Sequence, residues 1–538
     1  MAELFDDINF EVYISGAWLD ITADVQVSPA PKWNRGIMGN GQLDRVGSPG
    51  YLSFSLDNSQ YNSASTLGYY SPGNPSALAG WTSGLPVRLS FVFEGETYYK
   101  FYGRIKPDGI KVYPGIKESR RVDVTAHDYM SQAQGHELKL LTLEENKRID
   151  EVVPSIISSM PIAPLATDYD IGAYTFPTVF DTVRSATTAT AEFQKLANSE
   201  LGYIYVSGDR TGGETLKVDG NLTRQIAITT IPTVGDGFLL KEDAGFLLKE
   251  DGGKLLLNET QAASFTDSEL YPGTEIGFGG YLVNRVEVST YPRRVDAAAT
   301  TVLFTLQTEF SLGASETRLN YFGRYRDPSG GASYVNGRDM VVPTTDDFLA
   351  ETTAGVDATT DITLTATYGT EGVSYNFVNN VAAERIVKTL RARGKGIYIY
   401  DAVKIVYDST DSQLIHGLLG LSVDMKYQDD PTVGEFFANT VLTQSEVPAL
   451  SVDRAAVFAN RNSMTIYGFL ALEPGTKIGF TETVTGINNE FFIQGYDAEI
   501  TDGLHVWWKP ILQNALLSTG PWTWDVSTWD IGTIWAPG

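Results

Sequence analysis

Short runs of β-branched and aromatic residues, each stopped by Gly, Pro or Asp, recur along most of this chain. Phe10–Trp18 opens the series, and Pro86–Phe93, Tyr98–Ile105 and Arg121–Asp128 follow. Such runs have the length and composition of strands and the punctuation of turns. Leu52, Phe54 and Leu56 alternate with Ser53, Ser55 and Asp57, which is the period of a strand with one buried face. A chain patterned this way is held to packed sheets, with helices as additions. The expected fold class is mainly β with a few helices (α+β), in several domains.

At 538 residues there is room for about 3 to 4 domains. Residues 1–140 form an N-terminal β unit. Inside it lies a long stretch, 29–85, rich in Gly, Pro, Asn and Ser. A stretch of this length in a compact unit is expected to be functional or built into an assembly. Residues 141–275 carry helix signals. Thr142 and Glu145 have capping-box spacing, and Ile149, Val152, Val153, Ile156, Ile157 and Met160 make one apolar stripe. Pro154 is expected to kink that helix. A second helix is predicted from Thr190 to Leu201, closed by Gly202. Gly237–Asp243 recurs as Gly245–Asp251 and, altered, as Gly253–Glu259, which predicts a set of β-hairpins. Residues 276–378 return to strands. Residues 379–505 open with a predicted helix, Asn379–Arg393, whose Ala383, Ile386, Val387 and Leu390 point inward and which Gly394 stops. Strands follow. Residues 506–538 are a Trp-rich tail.

The chain offers little reactive chemistry. It has no cysteine, which removes disulfides, thiolate metal sites and cysteine nucleophiles. The four histidines, His127, His136, His416 and His505, are scattered. No nucleophile elbow, P-loop or His-Glu-x-x-His run occurs. A net charge of −26 opposes binding along nucleic-acid phosphates or anionic lipid, so no sequence-specific nucleic acid and no stable membrane insertion is expected. The first seven residues are acidic and predict no secretory signal. Carboxylate pairs serve glycosidases, and Asp236, Asp243, Asp251, Glu482, Asp497 and Glu499 are the candidates here. With 66 acidic residues, pairs arise by chance. No catalytic, cofactor-binding or metal-ligating residue is assigned, and no enzyme activity is expected.

Four stretches form a set: Pro31-Lys32-Trp33, Leu43-Asp44-Arg45-Val46, Leu52–Asn58 and Gly68-Tyr69-Tyr70-Ser71-Pro72-Gly73. Together they resemble minor tail proteins of long-tailed bacteriophages. Phe101–Ile105 with Val122–Tyr129 resembles the first ring domain of tail-tip hub proteins, and Phe193–Tyr203 their helix-containing second domain. Val283–Val288 resembles the strand that re-enters the ring. Lys477–Phe480 with Phe492–Gly495 resembles the closing strand pair. The resemblance covers most of the chain. It implies duplicated β-barrel-like ring domains with helix-containing inserts, assembled as a homotrimer. It further implies a place at the virion tail tip, after assembly in the host cytoplasm. The implied partners are a distal tail protein or tail-tube ring, the tape-measure C-terminus, and a tail fibre or receptor-binding protein. The alternative function is a host-surface glycan-binding or glycan-depolymerising tail protein.

Aromatic residues and arginine are favoured anchors at interfaces. On that ground Trp33, Arg35, Tyr69, Tyr70 and Trp81, then Trp522, Trp524 and Trp529, are the candidate interface residues. A place in the chain's own core is the competing expectation for each.

Overall fold

The computed structural model describes residues 5–115, 120–138, 141–181, 186–208, 212–220, 230–232, 260–329, 333–501 and 505–515. Strands dominate, joined by six α-helices among the described residues. The Gly237–Glu259 repeat and residues 516–538 of the expected Trp-rich tail lie outside them, whereas residues 506–514 of that tail are strand.

The N-terminal unit is an antiparallel sheet. Asp7–Ile14 turns into Ala17–Asp20 through Ser15 and Gly16, with φ of 53° and 86°. Pro86–Phe93 turns into Glu96–Tyr113 through Glu94 and Gly95, with φ of 53° and 77°. Two-residue turns with both φ positive match the twist of hairpin strands. Tyr51–Asp57 pairs with Arg121–His127, and Leu52, Phe54 and Leu56 are buried as their alternation predicts.

The long 29–85 stretch is packed against this chain. Two of its segments are strands, Lys32–Gly36 and Tyr51–Asp57. Residues beyond Asn58 fold over the sheet. The Asp24 carboxylate accepts bonds from the Ser63 amide (2.6 Å), the Ser63 hydroxyl (2.7 Å) and the Tyr70 hydroxyl (2.5 Å). Burial and the bond to Asp24 raise the Tyr70 pKa, so the phenol stays a donor. Arg45 donates to the Leu201 carbonyl at 2.6 Å and lies over the rings of Tyr203 and Phe437. The stretch thereby ties the first sheet to the helical unit.

That unit holds α1 (Tyr129–Gly135), α2 (Ile149–Ser158) and α3 (Ala189–Glu200) beside the strands Ala166–Tyr169, Tyr203–Ser207 and Thr215–Asp219. The α2 stripe is buried through Ile149, Val152, Val153 and Ile156. Its cap differs from the expectation. Glu151 caps the helix by accepting the Arg148 amide at 3.0 Å, while Glu144–Lys147 is a strand paired with Phe176–Val179. That pairing uses the backbone that a cap at Thr142 would have turned into helix. Pro154 lies inside α2, and the helix continues to Ser158. At the end of α3 it is Leu201, not Gly202, that takes the left-handed conformation, φ 62°. Gly202 is needed for space, because a Cβ there would meet the Asp219 carbonyl oxygen at 2.5 Å.

A three-stranded sheet of Val403–Asp408, Arg285–Thr290 and Gly420–Met425 carries α5 (Pro431–Ser445), which buries Val433, Phe437 and Val441. α4 (Thr410–His416) links two of these strands. Between 293 and 399 lies a strand-rich insert organised around Arg385–Ile399, which pairs with five other strands. The helix expected at Asn379–Arg393 is therefore corrected to strand. Lys388 is a bulge, because Ala350 pairs with Val387 and Leu349 with Thr389. The bulge brings Val387 and Leu390 to one face, three residues apart, and so imitates a helical period. The buried Arg293–Asp181 ion pair fastens this insert to the helical unit.

The C-terminal strands Leu450–Arg454, Lys477–Glu482, Ile487–Thr501 and His505–Asn514 return to the N-terminal sheet. Lys32–Gly36 pairs with Gly495–Glu499, and the two ends of the chain become one 15-stranded sheet over one core. α6 (Ser463–Ala471) covers that core with Ile466 and Phe469. No sheet closes into a barrel among the described residues.

Candidate functional site

The join between Lys32–Gly36 and Gly495–Glu499 has two chemically opposite faces. Arg35 stands opposite Tyr496 and Trp33 opposite Ala498, while Asn34 stands opposite Asp497 and Lys32 opposite Glu499. On the far side of this strand, Trp508 pairs with Ala498, Trp507 with Glu499 and Lys509 with Asp497. Successive side chains on a strand alternate in direction. Trp33, Arg35, Tyr496, Ala498 and Trp508 therefore share a buried face. Lys32, Asp497, Glu499, Trp507 and Lys509 share the other, which is open.

The buried face holds an ionic knot. Arg35 and Lys100 are both fully buried. The Lys100 ammonium donates to the Phe469 carbonyl at 2.8 Å and to the Glu473 carboxylate. Glu473 lies 3.7 Å from the Arg35 guanidinium and accepts the Gly208 amide at 3.0 Å. Arg35 also donates to the Gly213 carbonyl. The knot thus draws on the first sheet, on the end of α6 and on the helical unit. Burial opposes the Arg35 charge, but Tyr496, Glu473, Asp128 and Glu214 outweigh it and hold the pKa above its usual value. Burial lowers the Lys100 pKa, against the pull of Glu473.

Two further carboxyls sit beside the knot. Asp128 caps α1 by accepting the Met130 amide at 3.1 Å, and burial pushes it up to about 6 despite Arg35. Glu214 accepts the Tyr129 amide at 3.0 Å and the Leu165 amide at 3.1 Å. Burial, then the Asp128 charge, pushes it up to about 7.

The open face is a groove of about 250 Å³ lined by Lys32, Tyr51, Arg454, Trp507, Lys509 and the carboxylates Asp497 and Glu499. Glu499 pairs with Lys32 at 3.2 Å and Lys509 at 3.5 Å, and Asp497 with Arg454 at 3.3 Å. Burial raises Asp497 above the usual carboxylate range. It also works on Glu499, but the bond to Lys32 and the Lys509 charge prevail and lower it.

Of the residues singled out from sequence, Trp33, Arg35, Tyr70 and Trp81 lie in the interior of this chain. Tyr69 is half-buried and edges against Tyr70, with ring centres 5.0 Å apart. Trp522, Trp524 and Trp529 lie outside the described residues. Asp497 and Glu499 come together in the groove. Glu482 instead closes a turn by accepting the Val484 and Thr485 amides, both at 2.7 Å. Asp236, Asp243 and Asp251 are outside the described residues. No group of three or more His, Asp or Glu able to hold a metal occurs among the described residues. No helix among them is long and apolar enough to cross a membrane. Sequence reading missed Lys100, Glu473, Asp128 and Glu214. One signal was present: Lys100 shares the inward phase of Tyr98 in its strand.

No protein-family model matches the chain, and no curated protein matches it. Solved structures do. A tail protein from Neisseria meningitidis aligns over 94% of this chain and 96% of its own, at 9% identity and a TM-score of 0.44. A prophage 43 kDa tail protein from Shewanella oneidensis aligns over 94% and 99%, at 8% identity and a TM-score of 0.43. A prophage tail protein from Listeria monocytogenes aligns over 94% and 94%, at 9% identity and a TM-score of 0.38. These three structural neighbours are tail proteins, at a distant level of likeness.

Proposed function

We propose that this chain is a structural virion protein, a trimeric hub at the distal end of a phage tail tube. It joins the tube to the central fibre or receptor-binding tip and opens for DNA passage. The observation that carries this reading is the 15-stranded sheet built from both ends of the chain, locked by the Arg35–Glu473–Lys100 knot. An adaptor that transmits force needs a rigid, hydrogen-bonded frame, and buried paired charges fix its joints in one geometry. The order of parts resembling tail-tip hubs supports the same reading. In it the sheet formed by 1–140 with the C-terminal strands supplies one ring element, strands of 276–378 the other, and the helical unit within 141–275 braces them. The partners are a distal tail protein or tube ring, the tape-measure C-terminus and a fibre. The acidic surface keeps DNA from adhering as it passes.

The test is mass in solution. Light scattering on the purified full chain is expected to give three times the 58.8 kDa protomer, and electron microscopy of those particles a ring with threefold symmetry. A monomer at every concentration that stays monomeric when mixed with the distal tail protein overturns the reading.

A further inference from the structure

We propose that the open face of the join binds an acidic sugar residue, a pyranose ring that carries a carboxylate. The groove, about 250 Å³, falls below the ~300–1,000 Å³ of sites for drug-sized molecules, which suits a single ring. Its charges are layered. Asp497 and Glu499 are 31% and 24% exposed, whereas Lys32, Arg454 and Lys509 are 54%, 40% and 34% exposed. Three cations against two carboxylates leave one positive charge in excess, in a chain whose net charge is −26. An anionic group approaching the groove meets Lys32 and Arg454 first, with Lys509 level with Asp497. The Glu499 carboxylate beneath Lys32 is an acceptor and takes the hydrogens of ring hydroxyls.

Aromatic surface completes the site. Trp507 and Tyr51 both line the groove. The Trp507 ring is held by Tyr271 and Phe458, each 5.4 Å away between ring centres. It is therefore fixed before a ligand arrives, which lowers the cost of binding. The apolar face of a pyranose fits such a ring, as aromatic side chains offer a flat, polarizable surface. Asp497, Glu499, Trp507 and Lys509 lie on two paired C-terminal strands with Arg454 beside them, and the join adds Lys32 and Tyr51 from the N-terminal sheet, so the complete groove is a product of the tertiary fold. The site uses neither Arg35 nor Glu473 and does not depend on the hub reading.

The experiment is calorimetric titration of the full-length protein with methyl glucuronide, methyl glucoside and sodium acetate. Saturable binding of the glucuronide is expected, with the glucoside weaker by about fivefold, the worth of one partly exposed charge pair. Lys509→Gln is expected to weaken the glucuronide by about fivefold and leave the glucoside unchanged. Trp507→Leu is expected to weaken both. If either variant fails to fold by circular dichroism, Lys32→Gln, the most exposed of the three cations, replaces it. No saturable binding of the glucuronide, equal affinity for both glycosides, or acetate binding as tightly as the glucuronide overturns the proposal. So does an affinity that none of these substitutions changes. A trimer that binds no glucuronide removes this site and leaves the hub reading standing.

Discussion

Arg35 and Glu473 lie 3.7 Å apart in the interior, 438 positions apart in sequence, where both ends of the chain and the helical unit meet. Lys100 shares the same carboxylate. One anion therefore compensates two buried cations, and the rest of the compensation comes from carbonyls and nearby acids.

Glu473→Gln is expected to destabilise the protein by about 3–5 kcal/mol, because it leaves Arg35 and Lys100 buried without their anion. Urea unfolding checks this. A loss under about 1 kcal/mol, the range of exposed pairs, would show that the knot is solvated.

Asp128 and Glu214 set a pH dependence. Their folded pKa values, about 6 and about 7, lie above the ordinary values of 3.8 and 4.5. Folding thus favours their protonated forms. The stability they contribute is complete below about pH 4 and is lost as pH rises to about 7. Asp128→Asn keeps an oxygen for the Met130 amide and removes the buried charge. Its stability relative to the unchanged protein is expected to rise between pH 4 and pH 7, by about 2–3 kcal/mol. Denaturation curves taken across that range give the difference directly, and a difference flat with pH would be evidence against the assignment.

The Arg293–Asp181 pair holds the 293–399 insert. Asp181 is fully buried, accepts Arg293 at 3.1 Å through one oxygen and the Thr178 hydroxyl at 3.0 Å through the other. Asp181→Ala is expected to cost about 3–5 kcal/mol by stranding the guanidinium. Hydrogen exchange should show the loss concentrated in the insert and in α3. Uniform exchange across the first sheet would contradict a local joint.

Gly495 lies where the two ends of the chain pair. A Cβ there would come within 2.6 Å of the Arg35 and Ile37 carbonyl oxygens, both backbone atoms with little freedom to move. Gly495→Ala is expected to destabilise by about 1–3 kcal/mol and to raise protease sensitivity at the join. A melting temperature within experimental error of the parent would show that the strands can separate without loss.

The β character was legible because each strand carries its own period. Leu52, Phe54 and Leu56 announce a buried face without help from any other part of the chain. The stripe of α2 was legible for the same reason, although its cap moved to Arg148 and Glu151 when Glu144–Lys147 was drawn into a strand. The Asn379–Arg393 segment misled because the bulge at Lys388 shifts the phase, so Val387 and Leu390 acquire helical spacing in a strand. The candidate site was half legible. Asp497 and Glu499 alternate visibly, and Lys509 lies on the next strand of their hairpin, but nothing near them in sequence names Lys32 or Arg454 as their partners.

Sequence by itself determined the strands and the helices α2 and α3 whose apolar period is carried by neighbours a few residues away. It did not separate α4, α5 and α6 from the strands expected around them, because their burial is set by the sheets they cover. Tertiary structure alone decided that residues 32–36 would meet residues 495–499, and so what became of the charges on either side. A carboxylate's worth depends on the dielectric around it and on the cations within a few ångströms. For Glu473 those cations are Arg35 and Lys100, and for Glu499 one of them is Lys32, all supplied by strands hundreds of positions distant that only the 15-stranded sheet brings within reach.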